Sequence, residues 1–176
     1  MAAPKEAQPA KKQKKQKKAK GEKLTLNYDC QASAEMMVKI FTLKEEAFLK
    51  AVFYGQIQKK GDTFIIGDNQ SFTFKVLKQE VTQINDDEDE PRHQHRLETL
   101  WHRKEWNDDE WSTVDLVFTD DEEMDKKCEL ELTQKGIPTN DKHGNADQLT
   151  LIKQFWKQTI FKGLTQFGNI GCKEKD

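Results

Sequence analysis

The strongest hydrophobic pattern in this chain lies near its end. Leu149, Ile152, Trp156, Ile160, Gly163 and Phe167 recur every three or four residues, the spacing that keeps one face of an α-helix apolar. Leu151, Phe155, Phe161 and Leu164 widen that face well beyond a stripe. The pattern predicts a helix over 149–168 that needs a curved partner rather than a flat one. Upstream the period changes to two. Leu24, Leu26, Tyr28, Cys30 and Ala32 alternate as in a half-buried strand. Ser33 is placed to cap a short helix that buries Met36, Met37, Ile40 and Phe41. Thr42, with Glu45 three residues on, has the form of a capping box for a second short helix that buries Leu43, Ala47, Phe48 and Ala51.

The middle of the chain reads as strands joined by short turns. Residues 52–58 and 63–66 are extended around a Lys60-Gly61 turn, and Gly67-Asp68-Asn69 is a hairpin turn. Phe72, Phe74 and Val76 share one face of a strand over 71–84. The apolar phase slips before Val81, which predicts a bulge near Leu77–Lys78. Strands over 92–106, 111–119 and 126–133 follow. They are separated by a turn at Asn107–Glu110 and an acidic turn at Asp120–Asp125, and Asn85–Pro91 is a further acidic turn. Pro138 cannot donate to a ladder and ends the last strand. Consecutive strands with short turns make an antiparallel meander. The expectation is an α+β fold, an antiparallel sheet wrapped around a long C-terminal helix, with two short helices after the first strand.

Charge divides the chain where hydrophobicity does not. Nine lysines against Glu6 and Glu22 give residues 1–23 a net charge of +7, which leaves −9 of the −2 total on residues 24–176. The basic stretch has no large apolar side chain beyond Met1, so it cannot offset its ordering entropy and is expected to be a disordered tail. It reads either as a nuclear-import or nucleic-acid and acidic-partner contact, or as a solubilising arm; no aromatic residue interleaves the lysines to stack on bases. The expected division is a tail over 1–23, a folded domain over 24–170 and a short C-terminal tail over 171–176. No run reaches the ~18–20 apolar residues of a membrane span. Three widely spaced cysteines, Cys30, Cys128 and Cys172, with no secretory signal before them, read as reduced thiols in a cytoplasmic protein that also enters the nucleus if the tail is an import signal.

Catalytic constellations are missing from the pattern. His93 and His95 share a strand face, but no third ligand completes a metal site, and they read as solvent-facing edge histidines; His102 reads as structural or surface. Nothing matches a phosphate-binding glycine loop or a nucleophile elbow. The carboxylates cluster in turns, where solvation leaves little to exploit. No enzyme activity, metal or cofactor is expected. Trp101, Trp106 and Trp111 are five residues apart, so consecutive ones fall on opposite faces and at least one reaches the surface or a turn. Together with Asp108, Asp109 and Glu110, Trp106 and Trp111 form the candidate partner-contact patch, because exposed Trp is a frequent interface anchor.

Residues 97–168 carry a resemblance. Trp101 and Trp106 make a Trp-x4-Trp pair, and Trp111-Ser112-Thr113-Val114-Asp115-Leu116-Val117-Phe118 forms the next strand. Leu132-Thr133-Gln134-Lys135-Gly136-Ile137-Pro138 ends in Gly-Ile-Pro, and Trp156, Phe161, Gly163, Leu164, Gln166 and Phe167-Gly168 mark a final helix with a Phe-Gly exit. This set resembles the C-terminal domain of the activator of heat-shock protein 90 ATPase family; residues 24–50 fit by pattern alone. The resemblance implies the helix-grip, START-like fold, heat-shock protein 90 as partner and a co-chaperone role that modulates its ATPase. Where the family has Arg after the first Trp, this chain has His102, and where full-length activators have a separate N-terminal domain, it has the lysine-rich stretch. Binding without strong stimulation is therefore the expectation. The alternative is a carrier, since helix-grip folds often hold an apolar ligand between sheet and helix; Phe72, Phe74, Phe155, Trp156 and Phe161 are bulky enough to fill that space.

Overall fold

The computed structural model describes residues 21–42, 57–60, 63–66, 72–124 and 126–176. Among the described residues eight strands form one antiparallel sheet: β1 (Glu22–Cys30), β2 (Ile57–Lys60), β3 (Thr63–Ile66), β4 (Phe72–Gln83), β5 (His93–Arg103), β6 (Ser112–Asp120), β7 (Cys128–Ile137) and β8 (Cys172–Glu174). Their order is β2-β3-β4-β5-β6-β7-β1-β8. The meander runs unbroken from β2 to β7, and the first strand then inserts between β7 and the last strand. Ile57–Lys60 pairing with Thr63–Ile66 agrees with a hairpin there. The second short helix, residues 52–56, the turn residues Gly61 and 67–69, and the lysine-rich residues 1–20 lie outside the described residues.

Alternation decides which face of the sheet is buried. Leu24, Leu26, Tyr28 and Cys30 of β1 point to the core, as do Leu130 and Leu132 of β7, Val114, Leu116 and Phe118 of β6, and Leu97 and Trp101 of β5. Register lines up Leu26, Leu132, Leu116 and Leu97 across four strands. Each such side chain contributes about 1.5–3 kcal/mol by leaving water. The bulge falls where the sequence places it, between Val76 and Lys78, and Leu77 is pushed out to 46% exposure. Beyond it β4 outruns the cover on the core face, and Val81 is 54% exposed.

The helix α1 (Ala34–Phe41) lies on β5 and β6. Ser33 caps it, its Oγ accepting from the Met36 N–H at 3.3 Å, and Asp120 Oδ1 accepts from the Ala34 N–H at 3.1 Å. Thr42 closes α1, since its hydroxyl donates back to the Val38 carbonyl at 2.7 Å. Met37, Val38, Ile40 and Phe41 are buried, whereas Met36, expected inside, is 41% exposed.

The last helix forms where expected but is not a uniform α-helix. It consists of α2 (Gln148–Gln154), a π-helical segment (Phe155–Phe161) and α3 (Lys162–Gly168) in direct succession. This corrects the reading of one wide apolar face. Ile152 and Phe161 are nine residues apart and would stand about half a turn out of phase on an ideal α-helix. Both are buried. The looser i→i+5 winding resets the phase, so two narrower stripes face the same sheet. Leu151 falls outside both stripes and is 41% exposed. Gly168 remains helical, and the left-handed residue that ends the helix is Asn169, with φ 52°.

The domain limits also move. Glu22 and Lys23, expected in the tail, already belong to β1. Residues 171–176 are not a tail: Cys172–Glu174 pair with Tyr28–Cys30 as the edge strand β8.

Candidate partner-contact site

Among the described residues, rings pack between sheet and last helix, and a buried polar chain fastens them. Tyr28 stacks on Phe161 with centroids 3.8 Å apart, Phe72 on Phe155 at 4.0 Å, and Phe74 on Trp101 at 5.0 Å. Trp101 and Trp156 meet at 4.9 Å. The side chains that would wall a ligand chamber touch each other instead. Trp156 Nε1–H donates to Gln134 Oε1 at 2.8 Å, Gln134 Nε2–H donates to Ser112 Oγ at 2.7 Å, and Ser112 donates to the Trp101 carbonyl at 3.3 Å. Trp101 Nε1–H reaches Thr99 Oγ1 at 2.9 Å. Thr99, Trp101, Ser112, Gln134 and Trp156 are all 5% exposed or less, and each hydrogen bond satisfies a group that would otherwise be costly to bury.

At one end of the sheet the β5–β6 connection is held down by the start of the last helix. Gln148 is fully buried; its Oε1 accepts from Trp106 Nε1–H at 3.0 Å and from Arg103 Nη1–H at 2.8 Å, and its Nε2–H donates to the Asn145 carbonyl at 3.1 Å. The preceding loop is wound around Asp141, whose carboxylate accepts from the amides of His143 and Asn145 and from the Asn145 side chain. The Asn145 side-chain amide first, then the two backbone amides, hold that carboxyl below the usual aspartate range. Lys142 ties the loop to the turn through the carbonyls of Glu105 and Lys104.

On this base sits the turn with the candidate patch. Trp106 is 1% exposed, so it anchors the turn from inside and cannot be the surface contact expected of it. Trp111 is the one that comes out: it is half-buried, its ring lies 5.0 Å from His102, and its Nε1–H donates to the Asp108 carbonyl at 3.2 Å. His102 meets the Asn107 carbonyl at 3.1 Å, which requires a proton on Nε2. Glu110 folds back to accept from Asn107 N and Nδ2, whereas Asp108 and Asp109 are exposed. The structure therefore groups the half-buried Trp111 with the exposed Asp108 and Asp109 in one acidic–aromatic turn that Glu110 shapes. Gln148, Gln134 and His102 were not singled out by sequence as parts of this arrangement, because a buried glutamine carries no periodic signal.

The opposite end of the sheet carries a second feature. His95 is 8% exposed beneath α1, not at a solvent edge, while His93 is half-buried and its ring centroid lies 6.3 Å away. Burial lowers the His95 pKa; Asp120 and Glu35 oppose that, and His93 reinforces it. A neutral imidazole buried this way stabilises the fold above the ordinary histidine pKa of 6.5. Below it the unfolded chain takes up a proton that the folded one refuses, so this contribution is lost as pH falls. Replacing His95 with glutamine should flatten the difference in urea midpoint between pH 7 and pH 5.5; an unchanged difference would show that His95 is not the group responsible. Among the described residues no group of three or more His, Cys, Asp and Glu is arranged to hold a metal ion, and no helix is long and apolar enough to cross a membrane.

Comparison with known proteins agrees with this architecture. No protein-family model and no curated protein sequence matches the chain. Among solved structures, the crystal structure of an HSP90 activator from Plasmodium falciparum superposes with a TM-score of 0.67 at 18% identity, covering 87% of this chain and 100% of that one. At that identity the likeness is one of fold. The chain has an α+β helix-grip fold, the fold of that HSP90 activator, in agreement with the resemblance to the activator family's C-terminal domain.

Proposed function

We propose that this protein is a co-chaperone-like module that binds heat-shock protein 90 and modulates its ATPase. The observation that carries the reading is the fold match across the whole solved chain of an HSP90 activator. The ring contacts among the described residues between sheet and last helix favour it over the carrier alternative. The acidic–aromatic turn supplies a surface of the right kind, an amphipathic ring on a base held by Gln148, flanked by the exposed carboxylates of Asp108 and Asp109. Modulation of the ATPase requires that the module bind one conformational state of the chaperone better than another, since only differential affinity shifts an equilibrium.

A Trp111→Ala variant tests the surface. It should bind heat-shock protein 90 about 10–100-fold more weakly, the range of an interface hot spot, with little change in melting temperature because Trp111 lies outside the core. Asp108→Asn with Asp109→Asn should weaken association several-fold at low salt and hardly at all at high salt. Unchanged affinity in both variants would place the contact elsewhere on the domain. The lysine-rich residues 1–20 are proposed as a separate contact for acidic or nucleic-acid partners; that contact would show steep salt dependence.

A further inference from the structure

The three cysteines are far apart in sequence, yet β7, β1 and β8 are neighbours and their register puts all three in one row. Cys30 lies opposite Cys128 on one side and opposite Cys172 on the other. The two pairings differ in kind. The Gln31 N–H donates to the Gly171 carbonyl at 2.8 Å and the Lys175 N–H donates to the Asn27 carbonyl at 2.9 Å. The bonds between β1 and β8 thus bracket Cys30–Cys172 and skip it, making it a non-hydrogen-bonded pair, the type in which opposing side chains come closest. The backbone groups of Cys30 turn instead toward β7, so Cys30–Cys128 is the wider pair. The sulfurs of Cys30 and Cys172 stand 2.7 Å apart, about 0.7 Å beyond bonding distance. Cys30 and Cys128 are buried, at 0% and 2% exposure, whereas Cys172 is half-buried on the edge strand and can be reached from solvent.

We propose that Cys172 and Cys30 form a reversible thiol–disulfide pair, closed by hydroperoxides, that locks the last strand onto the first. The Cys172 thiolate attacks one oxygen of the hydroperoxide; the O–O bond breaks, and the departing oxygen takes a proton and leaves as water or alcohol. Cys172 is now a sulfenic acid. The sulfur of Cys30 attacks the Cys172 sulfur, the S–O bond breaks, and the hydroxide leaves with the Cys30 proton as water. Two thiols and one hydroperoxide become one disulfide, one water and one water or alcohol. A dithiol reverses the change by exchange. The division of roles follows from position: Cys172 meets the oxidant, and Cys30 waits behind it. Contact with the thiols of Cys128 and Cys172, and burial, raise the Cys30 pKa, so it keeps its proton until the sulfenic acid stands beside it.

The lock would act on the least secured strand of this edge. β8 has three residues, and its ion pairs, Lys175 with Glu129 and Asp29 and Lys157 with Glu174, are partly exposed, so each adds little. An edge strand this short, held by partly exposed ion pairs, opens readily. Through Lys157 the same strand steadies the π-helical segment, so oxidation would stiffen one side of the last helix as well.

The experiment is treatment of the reduced full-length protein with equimolar hydrogen peroxide, followed by intact mass, peptide mapping and hydrogen exchange. The expected result is a mass loss of about 2 Da with a Cys30–Cys172 cross-link that dithiothreitol reverses. Exchange at the amides of Gln31 and Lys175 should slow more than tenfold, and the melting temperature should rise by about 5–15 °C. Cys128→Ala should cross-link normally, and Cys172→Ser, which removes the solvent-reachable sulfur of the half-buried edge residue, should not. A Cys30–Cys128 link, a link between two chains through Cys172, or oxidation of Cys172 to sulfinic acid with no link would each overturn the proposal.

Discussion

Replacing Trp156 with alanine should lower the unfolding free energy by about 3–5 kcal/mol, the range for deleting a large buried aromatic side chain. Trp156 is fully buried in the π-helical segment, among the rings of Trp101, Phe41, Phe155 and Phe161, and its indole N–H is the last link of the buried polar chain. The two contributions separate by chemistry. Trp156→Phe keeps most of the packing and leaves Gln134 Oε1 without its donor, which should cost about 1–3 kcal/mol. Adding Gln134→Leu to Trp156→Phe removes the orphaned acceptor and should recover part of that loss. Urea unfolding followed by circular dichroism measures all three variants. Equal stabilities for the single and double variants would mean that the Gln134 contact contributes nothing.

Gln148→Leu should cost about 2–4 kcal/mol, because it strands three polar partners at once. Arg103 and Trp106 would lose a buried acceptor, and the Asn145 carbonyl would lose a donor. Gln148→Glu keeps an acceptor for both donors and gains attraction to the Arg103 guanidinium, so it should cost less than leucine at pH 7. The consequence reaches function. The turn that presents Trp111 rests on Trp106, and loosening that anchor should weaken chaperone binding even though Gln148 touches no partner. Leucine and glutamate variants of equal stability would show that the hydrogen bonds are not what holds the turn.

Much of this fold can be read from the chain because period-two and period-four patterns report burial directly. The strands, the Ser33 cap, the bulge at Leu77 and the stop at Pro138 follow from local rules that need no partner. The last helix shows where such rules end. Its apolar residues looked like one wide face because a fixed 3.6-residue period cannot represent a change of winding. Ile152 and Phe161 share a face only through the π-helical segment. Edge pairing is equally silent: Cys172–Glu174 is too short to show alternation, and it becomes a strand only because β1 offers an open edge. The turn that carries Asp108 and Asp109 was legible in outline. Spacing placed at least one tryptophan of the three at the surface or in a turn, but which one depended on Gln148, a residue with no pattern of its own. Tertiary placement also moved His95 inward, under a helix whose position no strand periodicity records.

The central claim is that this domain recognises heat-shock protein 90 by its folded surface. The most direct measurement is a binding titration of the purified chaperone, with ATP turnover followed in the same samples, using the whole chain and residues 21–176, which retain all of β1. Binding by both forms, with altered turnover, is the expected result. Failure of both forms to bind would contradict the claim, and binding by the whole chain alone would transfer recognition from the folded domain to the lysines.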